Sequence, residues 1–324
     1  MTKKKVWTLL ILCSSICLLF YLLKDLKLKE LFQQISKVDL RYLAPAGLSM
    51  FLSAWFRNLR WMLLFEPLGY KIRKGQAFTA LLLSYPANLI VPQSSFFVRA
   101  TYLKRMCGVP FGECLGTIVA EKFMDGLVVF GLFFLLMFSN TQYQPSFSNK
   151  YSIPIFFVVL VIISVVIFFF LTRSGKVFLH RNTVLEFVHH QWLNFKEGLL
   201  TTKAVKNKML LLFYSLFIWL PYFGIFYFLL KGSVSSLWVD FQLPIELAVM
   251  ANIGWIFPTQ GGVGSFHFFV SSVMTIHGFE NLQAVFFSFL SHSFIVCNDI
   301  FWGLVVMLYN RKTVINLISF KIAG

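Results

Sequence analysis

Acidic residues are scarce in this chain. Asp and Glu number 13 against 29 Lys and Arg, and charged residues of both signs fill only 13% of the 324 positions. Ordinary soluble domains carry about 25%. With 58% hydrophobic residues and so little charge, the chain reads as an all-α, polytopic integral membrane protein. Pro and Gly, at 10 and 19 residues, are too few for a low-complexity chain. The five cysteines form no CxxC pair and no metal-ligand spacing, and Cys13 and Cys17 share a helix face as packing residues would. No Walker loop, Ser/His/Asp set or Asp-rich motif occurs, and His189-His190 has no third ligand nearby. Neither a metal nor a cofactor is expected. The formal charge of +16 would point to nucleic acid in a soluble protein, but no nucleic-acid module is present; lysines gathered in cytoplasmic loops account for it.

What is present is hydrocarbon-like sequence in lengths that a bilayer selects. Apolar stretches long enough to span, about 20 residues, run over 6–23, 43–65, 115–138, 153–171, 209–230 and 282–309. The start, MTKKKVWTLLILCSSICLLFYLL, imitates a signal peptide, but no small-x-small cleavage site follows, so an uncleaved first span is expected. Segment 24–42 alternates apolar residues and charges at helical spacing and predicts an amphipathic helix lying at the interface. Residues 1–324 are expected to form a single transmembrane domain. Lys3, Lys4 and Lys5, the basic loop 172–208, the group Lys71, Arg73, Lys74, Arg99, Lys104 and Arg105, and Arg311 with Lys312 place both termini in the cytoplasm. The basic segment 24–42 conflicts with this topology, which puts it outside.

Two further stretches, 78–92 and 244–276, are too short or too broken to span. The first ends in and runs on through PANLIVPQSSFFVRATYLK (86–104), and the second contains MANIGWIFPTQGGVGSFHFFVSSVMT. Both contain Ala-Asn, an apolar run, Pro with Gln close behind, small polar residues and then Phe-Phe-Val. Each is flanked by long spans, and the two halves, about 43–138 and 209–309, have opposite orientation by the charge count. Non-helical backbone at membrane depth is tolerated only where protein or a water-filled cavity covers it. Two re-entrant helical hairpins in an inverted repeat, tipped near Pro92–Ser95 and Pro258–Gly262, are therefore expected, an arrangement that in transporters builds the substrate site near the midplane.

Polar side chains inside the spans are the candidate functional groups. Arg57 and Arg60 are one turn apart in LSAWFRNLRWMLLF, either snorkelling at an interface or contacting an anionic headgroup. Glu121 and Asp125 share a face of VAEKFMDGL, beside Lys122, and read equally as partners of Arg57, Arg60 or Arg99 and as coupling groups. His292 and Asp299, seven apart, share a face of the last span and read as a proton relay or as polar helix contacts. Asn88, Gln93 and Arg99 of the first broken stretch, with Asn252, Gln260, Gly262, Gly264 and His267 of the second, are the expected lining of a phosphate-binding site, because helix ends and glycine backbone at a hairpin tip favour anions. Arg99→Ala is expected to abolish transport without disturbing the fold.

The segments RNLRWMLLFEPLGY, ANLIVPQSSFFVRATYLKRMCGVPFGECLGTIVAEKFMDGL and FPTQGGVGSFHFFVSSVMTIHGF together resemble the lysylphosphatidylglycerol synthase transmembrane-region family. The resemblance runs from about residue 6 to 310 and rests on Asn-x-x-x-Pro…Arg, Val-x-Glu-[Arg/Lys]-x-x-Asp and Pro-x-x-Gly-x-Gly. It implies flippase-like movement of a lipid headgroup or polyprenyl-linked glycan between leaflets, and it carries Asn88, Pro92, Arg99, Glu121, Asp125, Pro258, Gly262 and Gly264 onto family positions. Departures are Ser95-Phe96 where Gly-Glu is usual, Lys122 for Arg, and His267 for an acidic residue. The loss of both hairpin carboxylates fits an anionic headgroup better than a cationic one. No room is left for the synthase domain, so the chain is expected not to be an enzyme of that kind. A membrane enzyme or a non-transporting subunit of an envelope pathway is the alternative, and a homo-oligomer or an envelope-biosynthesis partner is left open.

Overall fold

The computed structural model describes residues 20, 22–24, 28–91, 93–139, 183–234, 241–257 and 259–310, with backbone alone at 28, 31–32, 137–139 and 183–190. Most of the predicted span 6–23, all of 153–171, Cys13, Cys17, Pro92, Pro258, Arg311 and Lys312 lie outside the described residues. Every regular element among the described residues is helical.

Segment 24–42 is helical in two pieces, α1 (Leu28–Ile35) and a 3₁₀ turn (Leu40–Tyr42). Asp39 caps that turn by accepting from Arg41 N, and its own N–H donates to Gly232 O at 2.8 Å. The segment is thereby tied to the end of the helix that carries Gly232. α2 (Leu43–Leu63) leads away from it.

α3 (Lys74–Ile90) and α4 (Ser95–Cys107) form an antiparallel pair. Asn88 Oδ1 accepts from Ser95 N at the tip, 2.9 Å, while Thr79 and Tyr102 are hydrogen-bonded near the base. α5 (Phe111–Ser139) follows. A second pair, α9 (Gln242–Ile256) and α10 (Ser265–Ile276), is closed at its base by Glu246 and His277 and at its tip by Ser265 Oγ donating to Gly254 O at 2.8 Å. The two tips meet: Gln260 Nε2 donates to Leu89 O at 3.3 Å and to Ile90 O at 3.4 Å. These carbonyls belong to the end of α3, where no intrahelical partner exists.

α7 (Lys208–Phe217) and α8 (Trp219–Ser233) are one helix bent at Ile218. Pro221 supplies no N–H to Phe217 O and its ring crowds that carbonyl, which bends a helix at this spacing; Ser53 Oγ donates to Ile218 O at 2.9 Å beside the bend. α11 (Asn281–Tyr309) completes the bundle. It packs closely on α3 because Gly303 faces Pro86, where a Cβ would sit 2.7 Å from the proline ring. Among the described residues, Lys208–Ser233 and Asn281–Tyr309 are long and apolar enough to cross a membrane by length and composition. α2 and α5, at 21 and 29 residues, have the length but carry charges, Arg57 and Arg60 towards the end of α2 and Glu121, Lys122 and Asp125 in the middle of α5.

Loop 172–208 requires correction. Thr183–Ala204 is a helix, α6, packed along α5. Gly112 and Gly116 on α5 and Gly198 on α6 bring the two backbones together, since a Cβ at any of them would collide with main-chain atoms of the facing helix. The basic residues that marked this stretch as a loop concealed the packing face.

Two apolar clusters result. One joins Leu63, Ile72, Leu103, Val109, Val205 and Leu211, and so gathers Lys71, Arg73, Lys74, Lys104, Lys206 and Lys208 towards one end of the bundle. The other joins Leu229, Leu230, Leu243, Val273, Met274 and Ala284 at the opposite end. Polar groups lie between them.

Candidate functional site

Helical spacing presents the charges in register. Arg57 and Arg60 project from one face of α2, Glu121 and Asp125 from one face of α5, and Arg99 from the middle of α4. Arg99 Nη2 donates to Glu121 Oε2 at 2.6 Å, Nη1 lies 3.4 Å from Oε1, and the guanidinium stacks 3.8 Å over the Trp61 ring. Trp61 is held in turn by Nε1 donating to Thr117 Oγ1 at 3.1 Å. Arg57 Nη1 reaches Glu121 Oε1 at 3.2 Å and also pairs closely with Asp125 Oδ2. Arg60 Nη2 is 2.8 Å from Asp125 Oδ1, near enough for an ion pair but not aligned as a hydrogen bond, and its guanidinium nitrogens have no hydrogen-bond partner among the described residues. Arg60 and Glu121 are fully buried. Three guanidiniums against two carboxylates leave one positive charge in excess.

The network forms one wall of a cavity of about 450 Å³ between the two helical pairs, within the ordinary range for small-ligand sites. Arg57, Arg99, Glu121 and Asp125 line it; the first tip adds Asn88, Gln93 and Ser95, and the second adds Asn252, Gly261 and Gly262. Lys122 also lines it. Its side chain is accessible by surface area yet enclosed by protein, as expected of a group protruding into internal space, and it makes no hydrogen bond or ion pair with the described residues. One turn on, a Cβ at Gly126 would meet nothing within 4 Å, so the wall is open there. Gln93 adopts φ 61°, an uncommon left-handed conformation for a side-chain-bearing residue. Gly262, at φ 72°, is required twice over: a Cβ would also lie 2.7 Å from the Trp255 ring.

Residues 6–303 match the family profile described as the lysylphosphatidylglycerol synthase TM region. The chain belongs to this family. No curated protein and no solved structure matches it. Of the positions expected from the family pattern, Asn88, Arg99, Glu121, Asp125 and Gly262 all line the cavity.

Five candidate residues do not line it. Arg60 is packed behind Asp125. The Gln260 amide joins the two tips, as described above. His267 Nδ1 accepts from Gly264 N at 3.3 Å, bracing the start of α10, and neither residue faces the cavity. His292 Nε2 donates to Gly261 O at 2.7 Å and its ring lies 4.6 Å from that of His267. Both histidines therefore buttress the second tip from behind. The repeat partners Asn88 and Asn252 also differ: the first bridges its tip, whereas the second donates to Ala248 O within its own helix at 2.9 Å and bonds to Tyr222. Arg99 is not a water-facing side chain that can be removed without structural consequence, since it is 3% exposed, stacked and ion-paired. Sequence reasoning missed Tyr85, Tyr222 and Trp255 in the lining. Helical spacing could have found two of them, as Tyr85 is three before Asn88 and Trp255 three after Asn252.

Among the described residues no group of three His, Cys, Asp or Glu side chains could hold a metal. Asp299 lines the cavity from α11 without a hydrogen bond or ion pair to the described residues.

Proposed function

We propose that this protein moves the anionic headgroup of a membrane lipid or polyprenyl-linked glycan between leaflets by alternating access. The observation that carries the reading is the cavity between two broken-helix tips, lined by Arg57, Arg99 and Lys122. A cluster with excess positive charge, partly screened from water, binds phosphate through charge-assisted hydrogen bonds. Acyl chains remain in lipid while the headgroup enters beside the open wall at Gly126.

In this reading the pairs α3–α4 and α9–α10 are re-entrant hairpins of an inverted repeat, entering from opposite faces, and relative movement of the halves 43–138 and 209–309 exposes the cavity alternately. The basic end of the bundle is cytoplasmic by the positive-inside rule, with both termini there and the protein multi-pass in a bacterial or archaeal inner membrane. Glu121 and Asp125 are held by guanidiniums rather than free for acid–base work, which supports binding over catalysis. A homo-oligomer or an envelope-biosynthesis partner is compatible with transport; nucleic acid is not a partner.

The test is a leaflet-resolved assay in proteoliposomes with an acyl-labelled anionic phospholipid. Wild type should move the label well above protein-free vesicles, and Lys122→Gln should slow it by at least about tenfold, because a single charge-assisted contact is worth about 1.5–3 kcal/mol. Equal rates with and without protein refute the proposal.

A further inference from the structure

Among the described residues, Asp299 is the one acidic group of the cavity wall that the ion-pair network does not absorb. Glu121 and Asp125 are each held by two or three guanidiniums. Asp299, half-buried in the second half of α11, has no hydrogen bond or ion pair with the described residues. Around it, Tyr85 of α3 and Tyr222 of α8 lie within electrostatic reach of both Asp299 and Arg57 of α2. From α10 the nearest titratable ring is His267, held against His292 two turns earlier in α11. None of the charged residues of α1 lines the cavity.

We propose that Asp299 is a proton-binding site that couples proton movement to movement of the headgroup. This rests on the translocation reading above. An ionised carboxylate enclosed by protein and lacking a partner is penalised strongly, and a bound proton removes that penalty. The same proton removes the repulsion between Asp299 and a phosphate in the shared cavity. Proton and anionic headgroup therefore bind cooperatively, each raising the affinity for the other by the same factor. The cycle is a symport: the headgroup enters with Asp299 protonated, both cross, phosphate departs, and the proton leaves to water on the far side. No bond other than the O–H of the carboxylic acid forms or breaks.

The experiment uses the full chain in proteoliposomes containing acyl-labelled phosphatidylglycerol, with an imposed pH difference and protein-free vesicles as reference. Wild type should accumulate the label in the leaflet facing the alkaline side, with initial rates rising by up to about tenfold per pH unit of acidification on the loading side, the limit for one linked proton. Asp299→Asn should still exchange label but lose the pH bias, and Asp299→Glu should retain it. Independently of transport, difference infrared spectra should show a protonated-carboxyl band on acidification that Asp299→Asn lacks. If wild type moves label with no response to pH, or responds to sodium instead, the coupling proposal falls while translocation stands. If wild type moves no label, the translocation reading falls. An infrared band unchanged in Asp299→Asn overturns the proton site in either case.

Discussion

Replacing Glu121 by Gln removes one negative charge from the centre of the ion-pair network while keeping the side chain's shape. Glu121 is fully buried; Arg99 approaches it at 2.6 Å, Arg57 at 3.2 Å and Arg60 at 3.8 Å. At an effective dielectric of about 20, a pair at the first distance attracts by ~6 kcal/mol before desolvation is counted. Removing one member of a buried pair destabilises by about 3–5 kcal/mol, because the partner is left uncompensated. Gln keeps one carbonyl acceptor for Arg99, so the loss should fall near the lower figure. For a chain of 324 residues, with an unfolding entropy of about 2.1 cal/mol/K per residue, that corresponds to a fall in Tm of about 4–5 °C. The assay is thermal unfolding of detergent-solubilised protein, run on Glu121→Gln, Arg99→Gln and the double variant. If the reasoning holds, the double variant is more stable than the summed single losses by at least about 1 kcal/mol, since the second change removes a charge that the first stranded. Wild-type stability in Glu121→Gln, or strict additivity in the cycle, would refute it.

Gly303→Val should prevent α11 from seating on Pro86 and yield aggregated or low-Tm protein by size-exclusion chromatography. Gly75→Ala, where a Cβ meets nothing within 4 Å, should be neutral or stabilise by up to about 1 kcal/mol. Gln260→Ala should untie the two tips at a cost of about 1 kcal/mol, read as faster amide hydrogen exchange at 88–95 and 259–264 with the helix bases unchanged. Lys122→Cys should react with a water-soluble maleimide in membranes, whereas Arg60→Cys, packed behind Asp125, should not; equal labelling would contradict the cavity wall described above.

By itself the sequence determined the solvent and the parts. Too few charges to clothe a soluble fold, and apolar runs of bilayer length, established a helical membrane protein. Helical periodicity placed Arg57 with Arg60, and Glu121 with Asp125, on common faces, and the motifs pointed to the family. These are local properties, set by spacing along one helix or by composition, and they do not depend on what lies opposite.

Tertiary structure decided which face meets which. The sequence left Glu121 equally a structural partner and a coupling group; packing α2, α4 and α5 together surrounded it with three guanidiniums. The same packing left Lys122 and Asp299 without a hydrogen bond or ion pair to the described residues, though nothing in their local sequence distinguishes them from their paired neighbours. Gln260 and His267 sit in a motif that reads as a binding loop, but the tips pass so close that Gln260 serves the end of α3 and His267 braces its own helix. Helix α6 was invisible because its packing face depends on glycines in α5 some eighty residues away. A hydrogen bond or an ion pair requires a partner at about 3 Å, and that distance is set only when the helices are assembled.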